Sequence, residues 1–193
     1  MSAADSQAVT YLNFKNSQFL DEESARREEP NEAFFMTYFS DRSSEGFRGQ
    51  FGVNRFCKAD ALLRHVHLST DKKRFVRERI LITEAALLLE VGGAQVTILP
   101  NTLCDIAPGI PHSWRGLPAG ILLPDGSRHR GESVMVFFYQ EEVRGFEPVT
   151  TPDLIKDPSD IDGVRGNFAF PKLTQEEILR LPYIKHGELR YGA

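Results

Sequence analysis

The sequence has few cysteines, no excess of basic residues and no long apolar run. Two cysteines in 193 residues are too few for a disulfide scaffold, and we expect buried free thiols. A formal net charge of −4 argues against a nucleic-acid-binding surface, which needs a basic patch. No apolar run approaches the roughly 20 residues of a membrane span, and residues 1–10 lack the regions of a signal peptide. We therefore expect a cytoplasmic protein with no nucleic-acid or membrane partner.

What the sequence does have is a series of short β-prone segments between Phe47 and Gln140. The segments 85–91 and 94–99 flank a Gly-Gly turn, and a Pro-Asn-Thr turn leads into the segment 102–107. Turns at such intervals are typical of an antiparallel barrel. The pattern predicts an all-β protein with a barrel or jelly-roll fold.

The segment 133–140 is rich in β-branched and aromatic residues and is expected to close the barrel. Residue parity does not decide which of its faces looks inward. The alternatives are Met135, Phe137 and Tyr139, or Val134, Val136 and Phe138.

Three histidines stand in positions that could converge. His65 and His67 are two residues apart in a β-prone segment, so their side chains leave the same face of a strand. His112 follows a strand that ends in a Pro-Gly-Ile-Pro corner. A histidine pair of this kind is more often incidental than a metal site. A metal site would be better supported if a fourth ligand, such as a carboxylate, lay beside the three histidines.

Asp71 and Glu78 are the carboxylates that could complete the set. If residues 62–69 and 74–83 form a hairpin around Asp71-Lys72, Glu78 lies directly opposite His65 and shares its face. Glu78 would then point inward from an apolar face, where a carboxylate needs a cation or hydrogen-bond donors. Asp71 lies in the turn and has solvent. We therefore favour Glu78, although a one-residue change of register would favour Asp71.

Residues 65–138 resemble the cupin superfamily of single-domain jelly-roll proteins. The resemblance lies in a histidine pair, several short strands and a third histidine on a Pro-Gly-x-Pro-His corner. Gly109 and His112 match the second cupin motif, whereas Pro108 is one place late and Asn101 replaces the first glycine. In the first motif Asp71 occupies the nominal place of the glutamate.

The resemblance implies a metal-dependent enzyme with a small organic substrate. Its candidate metal ligands are His65, His67, Glu78 and His112, and its candidate catalytic residues are Glu78 and Tyr139. The cofactor would be a divalent transition metal. Imidazole and carboxylate ligands suit Fe, Mn, Ni, Cu and Zn alike, and iron is the metal that we favour. An Fe(II)-type oxygenase is the leading interpretation. An isomerase, lyase or cyclase of small-molecule (secondary) metabolism, or a non-catalytic binding cupin, is the alternative.

The remaining segments are expected to flank the barrel of residues 47–142. Residues 1–46 form an N-terminal extension with a charged run at 21–32, expected to be a solvated loop or short helix, and an aromatic strand at 33–40. Residues 143–193 form a crossing and a short helix that pack on the barrel. Thr174 and Glu177 make a capping box that starts the helix, and Pro182 ends it.

Two further expectations concern a loop and the assembly. His129 lies between two arginines in a polar loop and is expected to be exposed.

Single-domain cupins commonly pair through a barrel sheet, and the aromatic segment 33–39 offers extra apolar surface. We therefore expect a homodimer.

Overall fold

A computed structural model of the protein describes residues 26–31, 34–40, 49–57 and 60–192. Its strands are β1 (Arg26–Asn31), β2 (Phe34–Ser40), β3 (Gln50–Phe56), β4 (His65–Ser69), β5 (Glu78–Glu84), β6 (Leu87–Val91), β7 (Ala94–Ile98), β8 (Thr102–Ile106), β9 (His112–Arg115), β10 (Ser133–Tyr139), β11 (Val143–Pro148), β12 (Tyr183–Lys185) and β13 (Glu188–Arg190). Its helices are a 3-10 turn (Pro158–Asp160), α1 (Ile161–Val164) and α2 (Gln175–Arg180).

The strands form two facing sheets with mainly antiparallel pairing. One sheet has the order β1-β2-β3-β10-β5-β8, and the other has the order β11-β4-β9-β6-β7-β12-β13. Strands that are neighbours along the chain therefore often lie in different sheets, as β4 and β5 do. The prediction of an all-β jelly roll with an N-terminal strand extension and a short C-terminal helix is confirmed.

The main core lies between the two sheets. In β10 the inward face carries Met135, Phe137 and Tyr139, each at most 4% exposed, which settles the parity that the sequence left open. Trp114 and Leu87 approach this core from the other sheet and are fully buried. Burial of one such large apolar side chain stabilises the fold by about 2 kcal/mol.

The charged run near the N-terminus is partly a strand. Residues 26–31 form β1, which pairs with β2, so the expected loop or short helix is wrong there. The rest of the run lies outside the described residues. The physical reason is that a strand edge offers backbone hydrogen bonds, and these outweigh the low β-propensity of Glu and Arg.

The hairpin predicted across residues 62–83 forms only near its turn. Val76 N donates to His67 O at 2.9 Å, as that hairpin requires, but the chain then crosses to the other sheet. Glu78 therefore pairs with strands of that sheet, and His65 pairs with His112 of β9. The predicted pairing of His65 with Glu78 is wrong, because β4 and β5 find different neighbours in the two sheets.

The C-terminal helix begins as predicted. Thr174 Oγ1 accepts from Glu177 N at 3.2 Å, and Glu177 Oε2 accepts from Thr174 N at 2.7 Å, so both halves of the capping box are present. The helix ends before Pro182, and its buried residue Ile178 packs into a second apolar cluster. No helix within the described part of the chain has the length and apolar character that a membrane span requires.

His129 is buried rather than exposed, so that expectation is wrong. Its Nε2 donates to Ala86 O at 2.9 Å, and its Nδ1 accepts from Gly131 N at 3.1 Å. The ring thus satisfies backbone groups that the loop would otherwise bury without partners. Burial lowers the pKa of His129 below its ordinary value, which favours the neutral ring.

Cys57 and Cys104 are free thiols, as expected, but they are half-buried rather than buried. Burial, helped by the nearby charge of Glu78, raises the pKa of Cys104 to about 12. The thiol therefore stays protonated near neutral pH and behaves as a small apolar group.

A buried ion pair supports the outer side of the histidine-bearing strands. Arg64 contacts the Glu90 carboxylate through two bonds, Nε to Oε2 at 3.0 Å and a terminal nitrogen to Oε1 at 3.1 Å. The guanidinium lies 3.6 Å from the centre of the Phe168 ring and also donates to Thr150 O. Because β9 lies between β4 and β6, the pair spans the strand that carries His112.

Removal of one partner from this pair should be costly. We expect Glu90→Ala to lower the free energy of unfolding by about 3–5 kcal/mol, because it leaves a buried guanidinium without its counterion. Urea unfolding followed by Trp114 fluorescence measures this change. Asp105→Ala, which removes the exposed partner of Arg77, should cost only a small fraction of that amount. Equal losses in the two variants would contradict this assignment.

Candidate metal centre

Four of the predicted side chains meet in the interior between the sheets. One ligand atom from each of His65, His67, Glu78 and His112 lies within 4.8 Å of every other. The four residues are between 1% and 3% exposed. A carboxylate and three imidazoles buried together must share protons or bind a cation, because each is costly to bury alone.

The jelly-roll topology explains this convergence. β4 presents His65 and His67 on one face, and His112 of β9 lies directly opposite His65. Glu78 comes from the facing sheet, at the first position of β5. The ring centres of His65 and His112 are 4.4 Å apart, and those of His65 and His67 are 4.9 Å apart.

The corner before His112 is built around Gly109. Its φ is +77°, and a Cβ at this position would lie 2.3 Å from Ile155 O. Ile155 N donates to Gly109 O at 3.0 Å, which holds the corner against the C-terminal crossing. A glycine is required here both by the backbone conformation and by this close approach.

Backbone carbonyls orient two of the imidazoles. His65 Nδ1 lies 2.6 Å from Leu63 O, and His112 Nδ1 lies 3.0 Å from Ile110 O. A ring nitrogen this close to a carbonyl carries the proton and donates it. In both rings Nε2 is then the nitrogen directed into the cluster, which is the orientation that metal-binding histidines need.

Glu78 is the charged centre of the cluster. Its Oε2 lies 2.8 Å from His112 Nε2 and 3.4 Å from His67 Nε2. Its Oε1 accepts from Tyr139 Oη at 2.7 Å. Burial alone raises the pKa of Glu78, but the charge of His67 and the hydrogen bonds from His112 and His67 outweigh burial and hold this pKa well below its usual range.

The pKa of His65 is lowered as well, which for an imidazole favours the neutral form. Burial, followed by the electrostatic interactions with His112 and His67, lowers the pKa of His65 well below its usual range. A neutral imidazole beside an ionised carboxylate is the protonation state in which these groups bind metals. Two of the four groups therefore have the required state because of their position in the fold.

The residues fit a divalent transition metal. His67 directs its Nε2 toward Glu78 Oε2 at 3.4 Å, and its Nδ1 is buried without a hydrogen-bond partner among the described residues. Three imidazole nitrogens and one carboxylate oxygen form a donor set for Fe, Mn, Ni, Cu or Zn. With a divalent ion the set would carry a net charge of about +1.

Asp71, the other carboxylate considered, is not in the cluster. It lies in the exposed turn after β4, where its Oδ1 accepts from Ser69 Oγ at 2.7 Å and from Lys73 N at 3.1 Å. Its bonding capacity is used within the turn. The structure thus brings Glu78, and not Asp71, to the histidines.

Sequence reasoning missed the strand β11 and its residue Phe146. The Phe146 ring lies 4.3 Å from the His65 ring and 5.6 Å from the His67 ring, measured between centres. Phe146 is nevertheless 37% exposed. The pattern Val-Arg-Gly-Phe-Glu-Pro has no clean alternation, so it carried no strand signal.

The fold and the site together are those of a two-sheeted jelly roll with a candidate metal centre. Similar solved structures include the polyketide cyclase RemF from Streptomyces resistomycificus, with 14% identity and a TM-score of 0.49 over 75% of this chain and 91% of that chain. KdgF from Halomonas sp. has 9% identity and a TM-score of 0.47 over 65% of this chain and 94% of that chain. A predicted oxalate decarboxylase from Thermotoga maritima has 11% identity and a TM-score of 0.47 over 63% and 96%. No protein-family model and no curated protein matches the sequence.

Replacement of single residues should distinguish the metal ligands from residues that do not bind the metal. We expect His112→Ala to abolish stoichiometric metal and Glu78→Ala to weaken metal binding, because each removes a donor atom from the cluster. Asp71→Ala should leave metal binding intact. Elemental analysis of protein purified with added Fe, Mn, Ni, Cu or Zn measures the metal content.

Glu78→Gln is the matched control, because it keeps the shape of the side chain and removes only the charge. Metal contents are compared only between variants that keep the β-sheet signal of wild type in circular dichroism, so that loss of a ligand is distinguished from loss of the fold. If Asp71→Ala strips the metal while Glu78→Ala retains it, the assignment of the carboxylate ligand is wrong.

Proposed function

We propose that the protein is a metal-dependent cupin enzyme acting on a small organic substrate, with Fe(II)-type oxygenase as the reaction class. One observation carries the proposal: His65, His67, Glu78 and His112 place their ligand atoms within 4.8 Å of one another in the interior. Single buried histidines are common in protein cores, but a converging set of four metal-ligating side chains is not explained by packing alone.

A divalent metal held by these residues would supply Lewis acidity and, if it were iron, one-electron chemistry. The protein's own contribution is to keep Glu78 ionised and to direct the histidine Nε2 atoms inward. Tyr139 Oη, 2.7 Å from Glu78 Oε1, is the neighbouring group able to hold or move a proton at that oxygen. Phe137 and Ile80, which are buried in the main core two residues from Tyr139 and Glu78 on β10 and β5, help to keep water away from these groups.

These surroundings also define a class of substrate. A site of net charge about +1 favours an anionic or chelating oxygen group. The core residues that adjoin the cluster are aliphatic and aromatic, so we expect the rest of the molecule to be small and apolar or aromatic. We therefore propose a substrate that combines a planar apolar body with one or two oxygen donors.

The contact between Tyr139 and Glu78 favours a second candidate function. A hydroxyl and a carboxylate in hydrogen-bond contact form a proton-transfer pair, which an isomerase, lyase or cyclase of small-molecule metabolism needs and an oxygenase does not require. The two functions differ in whether dioxygen is consumed. A non-catalytic binding cupin is the outcome in which neither conversion occurs.

Oxygen consumption distinguishes these functions. We expect Fe(II)-loaded protein to consume dioxygen in proportion to substrate when small aromatic and enolic acids are supplied, as recorded by an oxygen electrode and mass spectrometry. Tyr139→Phe should retain iron in either case. It should lower kcat by about 10²-fold, the lower range for loss of a positioned proton-transfer group, for an isomerase, lyase or cyclase reaction, and much less for an oxygenase reaction. His67→Ala serves as the metal-deficient control.

Conversion without oxygen uptake would favour the isomerase, lyase or cyclase function. If the protein never holds metal under any loading condition, the enzyme proposal falls behind that of a binding protein.

The free thiols Cys57 and Cys104 fit the reducing cytoplasm, which we propose as the compartment.

We also propose a homodimer. Leu81 and Leu103 are paired across β5 and β8 and are 39% and 63% exposed, so this sheet has apolar surface on its outer face. Light scattering at micromolar concentration should give a mass of twice the 21.8 kDa of one chain. Leu103→Asp should shift the mass toward that of one chain if this face is the interface. A wild-type mass of one chain would exclude the dimer.

A further inference from the structure

The strand β11 contains a bulge directly beside the histidines. Val143 pairs with Ser69, and Phe146 pairs with His67, so three steps along β11 match two steps along β4. One extra residue therefore lies between these pairs, and Gly145 in this stretch has a φ of +126°. A bulge of this kind re-aims the side chains that follow it.

The bulge decides the direction of Phe146. In a regular strand with Val143 facing inward, Phe146 would face outward, because three residues is an odd number. The extra residue reverses this parity, and Phe146 joins His67 on the inward face. The next residue, Glu147, then faces away and pairs with Arg165 at 2.8 Å. Phe146 reaches the histidine rings only because of the bulge.

Phe146 lies between the histidines and solvent. The cluster residues are at most 3% exposed, whereas Phe146 contacts two of their rings and is 37% exposed. Its strand β11 is the edge strand of its sheet. The preceding inward position is closed, because Val143 N donates to Gln50 Oε1 at 3.3 Å and joins the two sheets. Among the described residues, Phe146 is thus the exposed side chain that covers the rings.

We propose that Phe146 determines both access and specificity at this site: small planar molecules reach His65 and His67 along its ring, and bulky molecules are excluded by it. This inference rests on the proposed function for the identity of the ligand. Its chemical basis is that an aromatic face favours stacking with another planar π-system. The ring centre lies 4.3 Å from that of His65 with 41° between the ring planes, and Phe146 is 37% exposed, so part of its ring is available to stack with a flat molecule.

Chemical modification of metal-free protein tests the access role without requiring metal or activity. Diethyl pyrocarbonate modifies accessible imidazoles, and peptide mass spectrometry gives the rate for each histidine. We expect Phe146→Ala to raise the rates of His65 and His67 by about tenfold or more, and Phe146→Tyr to behave as wild type. The exposed His186 and the buried His129 should react at unchanged rates.

Two further variants distinguish the loss of the covering Phe146 ring from a general loosening of β11. Val143→Ala removes apolar contacts from the same face of the same strand without uncovering the histidines, so its rates should match wild type. Gly145→Ala strains the bulge and adds no steric contact, since no atom lies within 4 Å of the added Cβ. It should raise the rates of His65 and His67 through misplacement of Phe146.

Cobalt-loaded protein tests the selectivity. Wild type should release Co(II) to planar 1,10-phenanthroline faster than to the bulkier EDTA, and Phe146→Ala should reduce this preference by about tenfold. If the modification rates of His65 and His67 do not rise in Phe146→Ala, or rise equally in Val143→Ala, the inference is overturned. If the rates rise as expected but wild type binds no cobalt, the access role stands and the proposed metal-dependent function fails.

Discussion

The burial of one ionised carboxylate is the constraint on which the rest of this structure depends. Glu78 is 3% exposed, and such a group is tolerated only when its oxygens are fully paired. His112 and His67 contact one oxygen, and Tyr139 donates to the other. The two sheets must therefore face each other in one alignment, because β5 and β10 supply the acid and the hydroxyl while β4 and β9 supply the imidazoles.

The supports of the site lie one layer outside it. On the outer face Arg64 and Glu90 span the strand of His112, and the same arginine contacts Phe168 and Thr150 of the C-terminal crossing. At the corner before His112, Gly109 accepts from Ile155 of the same crossing. The segment after the barrel is thus part of the support for the histidines. A buried charge pair is costly to break, so it favours one arrangement of these strands over alternatives.

Much of the site could be predicted because the face of a strand from which a side chain leaves depends on neighbouring residues in the sequence. The two-residue spacing of His65 and His67 sets a common face, and Glu78 lies on an apolar face whatever strand it pairs with. For this reason the sequence favours Glu78 over Asp71 as the residue near the histidines, where Glu78 lies in the structure, although the predicted hairpin with His65 is wrong. The capping box at Thr174 was equally predictable, since all its groups lie within four residues.

By itself, the sequence determined the all-β class, most strand positions in the barrel, the capped helix and the common face of His65 and His67, because these follow from spacing within a few residues. Only the tertiary structure decided the pairing of His65 with His112, the burial of His129 and the inward turn of Phe146. These depend on partners distant along the chain or on a bulge that reverses parity. Local periodicity contains no information about which distant strand supplies the missing hydrogen bonds.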